Sequence, residues 1–233
     1  MPDKSKPVAG LAEYLAVRSR CARVFDLDAR FPDQVFRRPA GDSLFCEFDV
    51  LLTPELWPAL CAMARWHGDD QIDLMVLEPD LDGYLAEGLG YPVRSLSADA
   101  SEDDYWDAVG FTSTTADDFS WSFTVSAIVV AITGASAKWG CWADRDPELA
   151  VFQGFLDAPT RSEWYDRFGP FLDVSGALEV YHPTAIVGRT VPESFVGPMA
   201  ANYGLSPKWR DQWQGPDYMG SGRQSWRELP WVS

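Results

Sequence analysis

The spacing of apolar residues predicts helices in several parts of the chain. Residues 8–24 show a moderate helical period. The clearest start signal is Thr53-Pro54-Glu55, which combines an N-cap residue, a proline in the first turn and an acid near the positive helix pole. It predicts a helix over residues 54–66 that ends near Gly68. Further helices are predicted at residues 79–88, 101–110, 160–168 and 191–202, with Ser101 and Thr160 as N-caps.

Other stretches predict strands, because apolar and polar residues alternate in them or because they are continuously apolar. Residues 43–52 alternate, as in a strand with one buried face, and residues 72–77 form a second strand pattern. Residues 120–132 alternate at first and then become continuously apolar, which is typical of a central strand. A turn at residues 134–137 leads into a partner strand. The remaining candidates are that partner strand at 138–143, a strand or short helix at 149–155, and an edge strand at 178–181.

Together these elements predict an α+β fold, with a mainly antiparallel central sheet flanked by several short helices. The 233-residue chain is 46% hydrophobic and 14% aromatic, enough for a large core and unlike a disordered protein. Because no linker-like stretch separates two halves, residues 1–205 are predicted to form a single domain. Residues 206–233 are rich in turn-forming residues, and we expect them to form a tail packed on that domain.

The chain carries no pattern for a membrane span or for export. Its longest nearly uninterrupted apolar stretch, residues 123–133, is too short to cross a bilayer. At the N-terminus, Glu13, Arg18 and Arg20 interrupt the apolar run that a signal peptide needs. We therefore expect a cytoplasmic protein that does not bind membranes.

The cysteines and histidines predict neither disulfides nor a metal site. No two cysteines form a Cys-x-x-Cys pair, and we expect all of them to be buried as small apolar residues in a reducing compartment. A zinc site would require distant residues to converge on His67 or His182. Neither a metal nor a cofactor is therefore expected. The four cysteines are Cys21, Cys46, Cys61 and Cys141.

Negative charge is concentrated in one fifth of the chain. Residues 69–118 contain fourteen carboxylates and one base, Arg94, so this segment contributes −13 to a total net charge of −16. Three interpretations remain open: a solvated face that aids solubility, a surface that faces a positively charged partner, and a metal site. The first is the common role of such acids. The second is supported by the aromatic residues that lie among the acids and could anchor a partner that the charge attracts.

The predicted partner-binding set follows from this segment. Seven of its acids and Trp106 come from the densest part of the segment, residues 99–118, and two further acids come from the adjacent stretch. The partner-binding residues that we predict are Asp80, Asp82, Asp99, Glu102, Asp103, Asp104, Trp106, Asp107, Asp117 and Asp118.

Two acidic patterns suggest metal binding, and both are weak. Glu78-x-Asp80-x-Asp82-Gly83 resembles a calcium loop, but position twelve of such a loop, where a bidentate glutamate belongs, is Leu89. Asp103 and Asp107 share one helical face and could support a divalent cation, although acids are common in the first turn of a helix.

Recognisable catalytic motifs are absent from the sequence. There is no P-loop and no dinucleotide-binding glycine motif, and residues 134–138 lack the second glycine of a nucleophile elbow. No spacing favours a serine or cysteine paired with either histidine. Hydrolysis by paired carboxylates stays open, since an acidic protein offers many candidate pairs. No catalytic residue is therefore predicted.

Eleven tryptophans are many for this length. We expect most of them in the core, with Trp139 and Trp142 on opposite faces of their strand. The C-terminal tail differs, because its tryptophans alternate with bases that can stack on them. These few bases do not offset the charge of the whole chain, so nucleic-acid binding is disfavoured. The tail residues concerned are Lys208, Trp209, Arg210, Trp213, Arg223, Trp226, Arg227 and Trp231.

One hairpin resembles a known type of protein. Residues 126–130 form an apolar strand, and after a turn Trp139-x-x-Trp142-x-x-Arg145 is followed by residues 148–151. This pattern resembles a hairpin of small actinobacterial immunity-type proteins of polymorphic toxin systems. The resemblance covers about residues 126–151 and implies an α+β protein whose work is binding, and it carries no catalytic residues.

These observations favour a cytoplasmic binding protein that engages a basic protein partner, such as a toxin domain that it would neutralise. The alternative is an enzyme with carboxylate- or metal-assisted hydrolytic chemistry on an α+β scaffold. A third possibility is an accessory protein that forms a homo-oligomer through exposed tryptophans. The sequence leaves the oligomeric state open.

Overall fold

The computed structural model describes residues 9–86, 90–110, 122–181 and 191–206. These residues form one open sheet in which every neighbouring pair of strands is antiparallel. The strands are β1 (Leu44–Glu47), β2 (Gln71–Glu78), β3 (Val93–Ser97), β4 (Val129–Gly134), β5 (Gly140–Asp144) and β6 (Leu149–Gln153). Their order across the sheet is β1-β6-β5-β4-β2-β3. The predicted α+β class with an antiparallel sheet is confirmed.

β4, β5 and β6 follow one another in the sheet as a meander of three strands. β4 pairs with β2 on one side and β5 on the other, the central position that its apolar run predicts. The turn between β4 and β5 is closed by the Ala137 N–H, which donates to the Gly134 carbonyl at 3.1 Å. The predicted hairpin is therefore confirmed. Of the two alternatives left open for residues 149–155, the strand is correct.

Helices lie before, between and after the strands. The strongest prediction, residues 54–66, is confirmed as a short 3₁₀ turn (Pro54–Leu56) that leads directly into α3. Gly68 ends α3 with a φ of 72°, a left-handed conformation that favours glycine. The helices are α1 (Leu11–Val24), α2 (Phe48–Leu51), α3 (Trp57–His67), α4 (Leu81–Ala86), α5 (Glu102–Gly110), α6 (Phe123–Ser126), α7 (Ala158–Phe168), α8 (Val174–Val180) and α9 (Glu193–Tyr203).

Both faces of the sheet are covered, so the described residues form a three-layer domain with two hydrophobic clusters. Alternate residues along each strand point to opposite faces. On one face, Leu74 packs in a cluster with residues of α3, α5 and α7. On the other face, Met75 packs in a cluster with residues of α1, α8 and α9. Trp139 belongs to the first cluster and Trp142 to the second, which confirms that they lie on opposite faces.

The predicted strand at residues 43–52 is wrong in its second half. Among the described strands, β1 pairs with β6, and their last pair is Glu47 with Leu149, where β6 begins. Phe45 also forms an isolated bridge with Leu172. Beyond the Glu47–Leu149 pair no strand of the described residues pairs with the chain, which turns into α2. The helix buries Phe48 and Leu51, which lie three positions apart and so share one face.

The predicted edge strand at residues 178–181 is also wrong, because most of this stretch belongs to α8. The Asp173 side chain accepts a hydrogen bond from the Gly176 N–H at 2.8 Å and so caps the helix start. Val174, Ala177 and Leu178 are buried, and their spacing of three and four positions is helical.

Two further predictions need correction. α7 is capped by Asp157, whose carboxylate accepts hydrogen bonds from both the N–H and the hydroxyl of Thr160, so Thr160 lies inside the helix. Within residues 120–132, the alternating first part contains the short helix α6, and only the later part forms β4.

Among the described residues, no helix is both long enough and apolar enough to span a membrane. Apart from Ser206, the predicted tail at residues 206–233 lies outside the described part of the chain, and so do its tryptophans.

Candidate functional site

The densest part of the predicted binding set lies on α5. Ser101 and Asp104 form a capping box, in which the Ser101 hydroxyl accepts from the Asp104 N–H at 3.1 Å and the Asp104 carboxylate accepts from the Ser101 N–H at 3.1 Å. The inner face of the helix is fixed by Tyr105, whose ring stacks on Trp57 with centroids 4.8 Å apart. The Tyr105 hydroxyl also donates to the Leu51 carbonyl at 2.6 Å. α5 is therefore a rigid platform.

The outer face of α5 combines acids with a large ring. Glu102, Asp103 and Asp107 are exposed, and Trp106 between them is 36% exposed. Asp103 and Asp107 are four positions apart, so they are neighbours on one side of Trp106, and Glu102 lies on its other side. Among the described residues, no ion pair involves Glu102, Asp103 or Asp107.

Asp99 precedes this helix and already has a cationic neighbour. Its carboxylate lies 3.7 Å from the Arg65 guanidinium, and both side chains are largely exposed. An exposed pair of this kind contributes little to stability. Asp99 is therefore accessible to a partner, although an approaching cation would compete with Arg65.

The other predicted acids lie on or beyond α4. The Asp80 carboxylate accepts from the Gly83 N–H at 2.9 Å at the start of α4, and Asp82 is exposed in its first turn. Asp117 and Asp118 fall outside the described residues, so their place relative to α5 is not part of this structure.

α4, α5 and α6 are neighbours, and each exposes one large apolar side chain. The ring of Tyr84 in α4 meets that of Phe123 in α6 edge-on, with centroids 6.4 Å apart, and α6 in turn contacts α5. Leu85, Trp106 and Val125 are 46%, 36% and 47% exposed. We call α4, α5 and α6 with their exposed acids and these three side chains the acidic–apolar surface.

Two acids of the sequence segment 69–118 are buried and belong to the scaffold. The Asp69 carboxylate accepts from the Ser136 N–H at 2.6 Å and from the Trp139 indole N–H at 2.9 Å, which ties the β4–β5 turn to the end of α3. The Asp73 carboxylate receives two hydrogen bonds from Arg20 of α1 and one from Ser95 of β3. The segment therefore divides into structural and exposed acids.

A second group of acids surrounds a cleft that the sequence did not predict. The cleft has a volume of about 290 Å³ and lies where β2 and β5 end and β4 begins. Four apolar residues and four charged ones line it. They are Phe31, Val129, Pro147 and Phe195, and Arg30, Glu78, Asp144 and Asp146.

Asp144 is the central polar group of this cleft. The residue is only 5% exposed, and one carboxylate oxygen accepts from the Asp146 N–H at 3.2 Å. Burial raises its pKa to about 6, and the charges of Asp146 and Glu78 act in the same direction. The Asp146 N–H and the charge of Arg30 oppose this shift. Asp144 is therefore poised to change its protonation state near neutral pH.

Arg30 is the cation among the described residues that line the cleft, and its guanidinium already contacts Glu78 and the Trp142 ring. Its guanidinium lies 3.5 Å from the Glu78 carboxylate and 5.9 Å from the centre of the Trp142 ring. It also donates to the backbone carbonyls of Leu27 and Ala29, at 3.1 and 2.7 Å. These contacts fix the guanidinium beside Glu78, so Asp144 and Asp146 are left without an ion-pair partner among the described residues.

More carboxylates lie along the same edge of the sheet, towards β1. Burial raises the pKa of Glu148 and of Glu47, and in each case the nearby Asp49 adds to the rise. Arg145 offsets part of this charge, with one guanidinium N–H donating to Asp49 at 3.0 Å and another to the Thr124 carbonyl at 2.8 Å.

The sequence pattern did not predict this cluster of acids, because the acids stand at strand ends that are far apart along the chain. The signal that could have found it is the acid at the end of each of β1, β2 and β5, since antiparallel neighbours alternate their ends along one edge.

The candidates for nucleophilic or metal chemistry are not assembled. The His67 ring nitrogen Nε2 lies 2.7 Å from the Gly154 carbonyl oxygen, away from the cleft residues, and His182 is outside the described residues. Burial raises the pKa of the Cys21 and Cys61 thiols to about 12 and about 11. All four cysteines are buried and unpaired. Within the described ranges, no three His, Cys, Asp or Glu residues converge closely enough to hold a metal ion.

Comparison with known protein families, with curated proteins and with solved structures finds no match to this chain. The immunity-type resemblance of the hairpin at residues 126–151 stays a prediction. Its residues do form a hairpin, but a hairpin is common to many folds and does not identify a function.

Proposed function

We propose that this chain is a binding protein for a basic protein partner, which it engages through the acidic–apolar surface. The observation that carries the proposal is the outer face of α5. There, Trp106 stands between carboxylates that have no cationic partner among the described residues. Tryptophan is among the residues that contribute most to binding energy at protein interfaces, especially where neighbouring groups exclude water.

Charge and apolar contact would have separate roles at this surface. The chain has a net charge of −16, so a basic partner is attracted from a distance and collides more often in the right orientation. Leu85, Trp106 and Val125 then supply apolar area that keeps the complex together. The capping box and Tyr105 hold α5 in place before the partner arrives, which limits the entropy lost on binding.

The more specific form of the proposal is an immunity role, in which the basic partner is a toxin domain that the complex keeps inactive. Three features support it: the acidic surface, the hairpin that resembles immunity-type proteins, and the four unpaired cysteines, which suit a reducing cytoplasm. The same negative charge disfavours nucleic acid as the partner.

The test uses the neighbouring reading frame of the genome as the source of a partner. If it encodes a secreted protein with a basic C-terminal domain, that domain is purified and its affinity is measured by calorimetry. The triple variant Glu102→Gln, Asp103→Asn, Asp107→Asn should bind at least about tenfold more weakly, because it loses the unpaired charges of α5. In cells, it should protect less well against the domain.

A matched control separates this surface from the net charge. Glu163→Gln, Asp166→Asn, Glu179→Gln removes three exposed carboxylates from α7 and α8 and gives the same net charge. The control should bind like the wild type. Equal losses in the two triple variants would contradict a site on α5, and a neighbouring frame without a basic domain would remove the support for immunity.

The enzyme alternative is favoured by one observation, the raised pKa of Asp144 in the cleft. A buried carboxyl with a pKa of about 6 can accept or donate a proton near neutral pH, as general acid–base catalysis requires. A screen of ester, phosphoester and glycoside substrates tests this alternative. Turnover that Asp144→Asn abolishes and Asp166→Asn leaves intact would favour the enzyme.

A further inference from the structure

The cleft beside Asp144 has a charge and shape that no part of the proposed protein-binding function uses. Its lining combines apolar residues, among them Phe31, Val129 and Phe195, with acidic ones. Its volume of about 290 Å³ lies at the lower end of the range for ligand sites, so it suits a small group.

The charges of the cleft favour a cation. Three carboxylates line it against one guanidinium, and that guanidinium already pairs with Glu78 at 3.5 Å. An anionic ligand would meet the two remaining carboxylates, whereas a single positive charge would offset one of them.

The burial of Asp144 is an observation that does not depend on the number of charges in the cleft. The residue is 95% buried and yet lines an open cleft, and among the described residues its carboxylate has one hydrogen bond, from the Asp146 N–H. No cation among the described residues lies within 4.0 Å of it. A buried carboxylate without a positive partner is costly, so a protein that keeps one gains from a ligand that supplies the charge.

We propose that this cleft binds an alkylammonium group. Asp144 and Asp146 hold the nitrogen, and the apolar lining residues contact the carbon chain. An ammonium group has three N–H donors, enough to reach both carboxylates. Phe31 and Phe195 offer apolar area to a short chain of methylene groups, and an aromatic face near the nitrogen adds attraction for a cation.

An alkylammonium group can come from a free amine or from a lysine side chain of another protein, and the experiment separates these two sources. n-Butylamine represents the first and Nα-acetyl-lysine methylamide the second, and both are titrated into the full chain by calorimetry at about pH 7.5, where both nitrogens are charged. Saturable binding of butylamine alone assigns the cleft to free amines. Binding of both assigns it to lysine side chains as well.

The variants test whether the binding lies in this cleft. Asp144→Asn should weaken the binding of butylamine by at least about tenfold, because it removes a charge-assisted hydrogen bond. Asp146→Asn, at an exposed position, should also weaken it and guards against a fold effect at the buried site. The matched control Asp166→Asn removes the same charge from α7 and should bind like the wild type.

The pH dependence gives a second readout. Asp144 must be ionised to hold the cation, so the affinity should fall as the pH drops below about 6. The groups that face Asp144 are Asp146 of its own turn, Glu78 of β2 and Arg30 of the loop after α1. Asp144→Asn should remove most of this dependence on pH.

Three results would overturn the proposal. The first is no saturable binding of either amine to the wild-type protein. The second is equal binding of n-butanol, which has a similar chain without the charge. The third is unchanged affinity in both Asp144→Asn and Asp146→Asn. None of these results depends on the α5 variants. The amine-binding proposal and the protein-binding proposal are therefore tested separately.

Discussion

At the scale of single residues, the most informative group is Asp144, because its environment costs stability. The carboxyl is buried beside Asp146 and Glu78, and these surroundings raise its pKa to about 6 from an ordinary value of 3.8. Between these pH values the folded protein keeps a proton that the unfolded chain releases. Its contribution to stability is therefore present below about pH 4 and is lost as the pH rises through about 6.

The residue-scale prediction is that Asp144→Asn stabilises the protein above about pH 6 and changes its stability little below about pH 4. The amide keeps the acceptor for the Asp146 N–H but removes the buried charge, so the free energy of unfolding should rise by about 1–3 kcal/mol at about pH 7.5. At about pH 3.5, below both pKa values, the variant and the wild type should differ by less than about 1 kcal/mol. Urea unfolding at both pH values measures this difference.

A second buried carboxyl, Asp42, does not disturb this measurement. Burial raises its pKa to about 6 as well, but its carboxylate accepts from the backbone N–H groups of Gly154 and Phe155. It is present in both proteins, so its effect cancels in the difference. A gain in stability that is the same at both pH values would contradict the account of Asp144.

At the scale of elements, several boundaries were readable from local signals, because those signals act within one turn. Gly68 ends α3, and Ser101 with Asp104 starts α5, as predicted. The errors arose where tertiary contacts decide the outcome. Residues 48–51 alternate like a strand, but β6 begins opposite the end of β1, so no strand of the described residues pairs with them and they form α2.

The element-scale prediction concerns α8, which the sequence had suggested was partly an edge strand. Asp173→Ala removes the acceptor of the Gly176 N–H and should destabilise the protein by about 1 kcal/mol. Asp173→Asn keeps an acceptor and should lose less. Chemical denaturation monitored by circular dichroism measures each change.

Ser175→Ala is the matched control for this cap. Ser175 is exposed in the first turn of the same helix, so its substitution should leave stability within about 0.5 kcal/mol of the wild type. A loss in Ser175→Ala as large as that in Asp173→Ala would show that the cap hydrogen bond is not the cause.

At the scale of the whole molecule, the sequence predicted the class of fold and the central hairpin but only part of the site. The acids of α5 were found because they are close in sequence and exposed in structure. Asp69 and Asp73 looked similar in sequence, yet they serve Trp139 and Arg20 inside the fold. The cleft at Asp144 was missed because its lining residues come from five separate parts of the chain.

The central claim is that the acids of α5 attract a basic partner and that Trp106 retains it. These two roles act on different rates. Removing charge should slow association, and removing the ring should speed dissociation. Trp106→Ala is compared with Leu156→Ala, which removes another exposed apolar side chain, from the loop before α7.

The most direct test is the association rate of the wild type and the α5 triple variant with the basic domain, measured by stopped flow at increasing salt. The wild-type rate should fall steeply with ionic strength, and the rate of Glu102→Gln, Asp103→Asn, Asp107→Asn should be lower and depend less on salt. The two rates should converge at about 1 M salt, where charges are screened. A wild-type rate that does not change with salt, or the same salt dependence in both proteins, would contradict the claim.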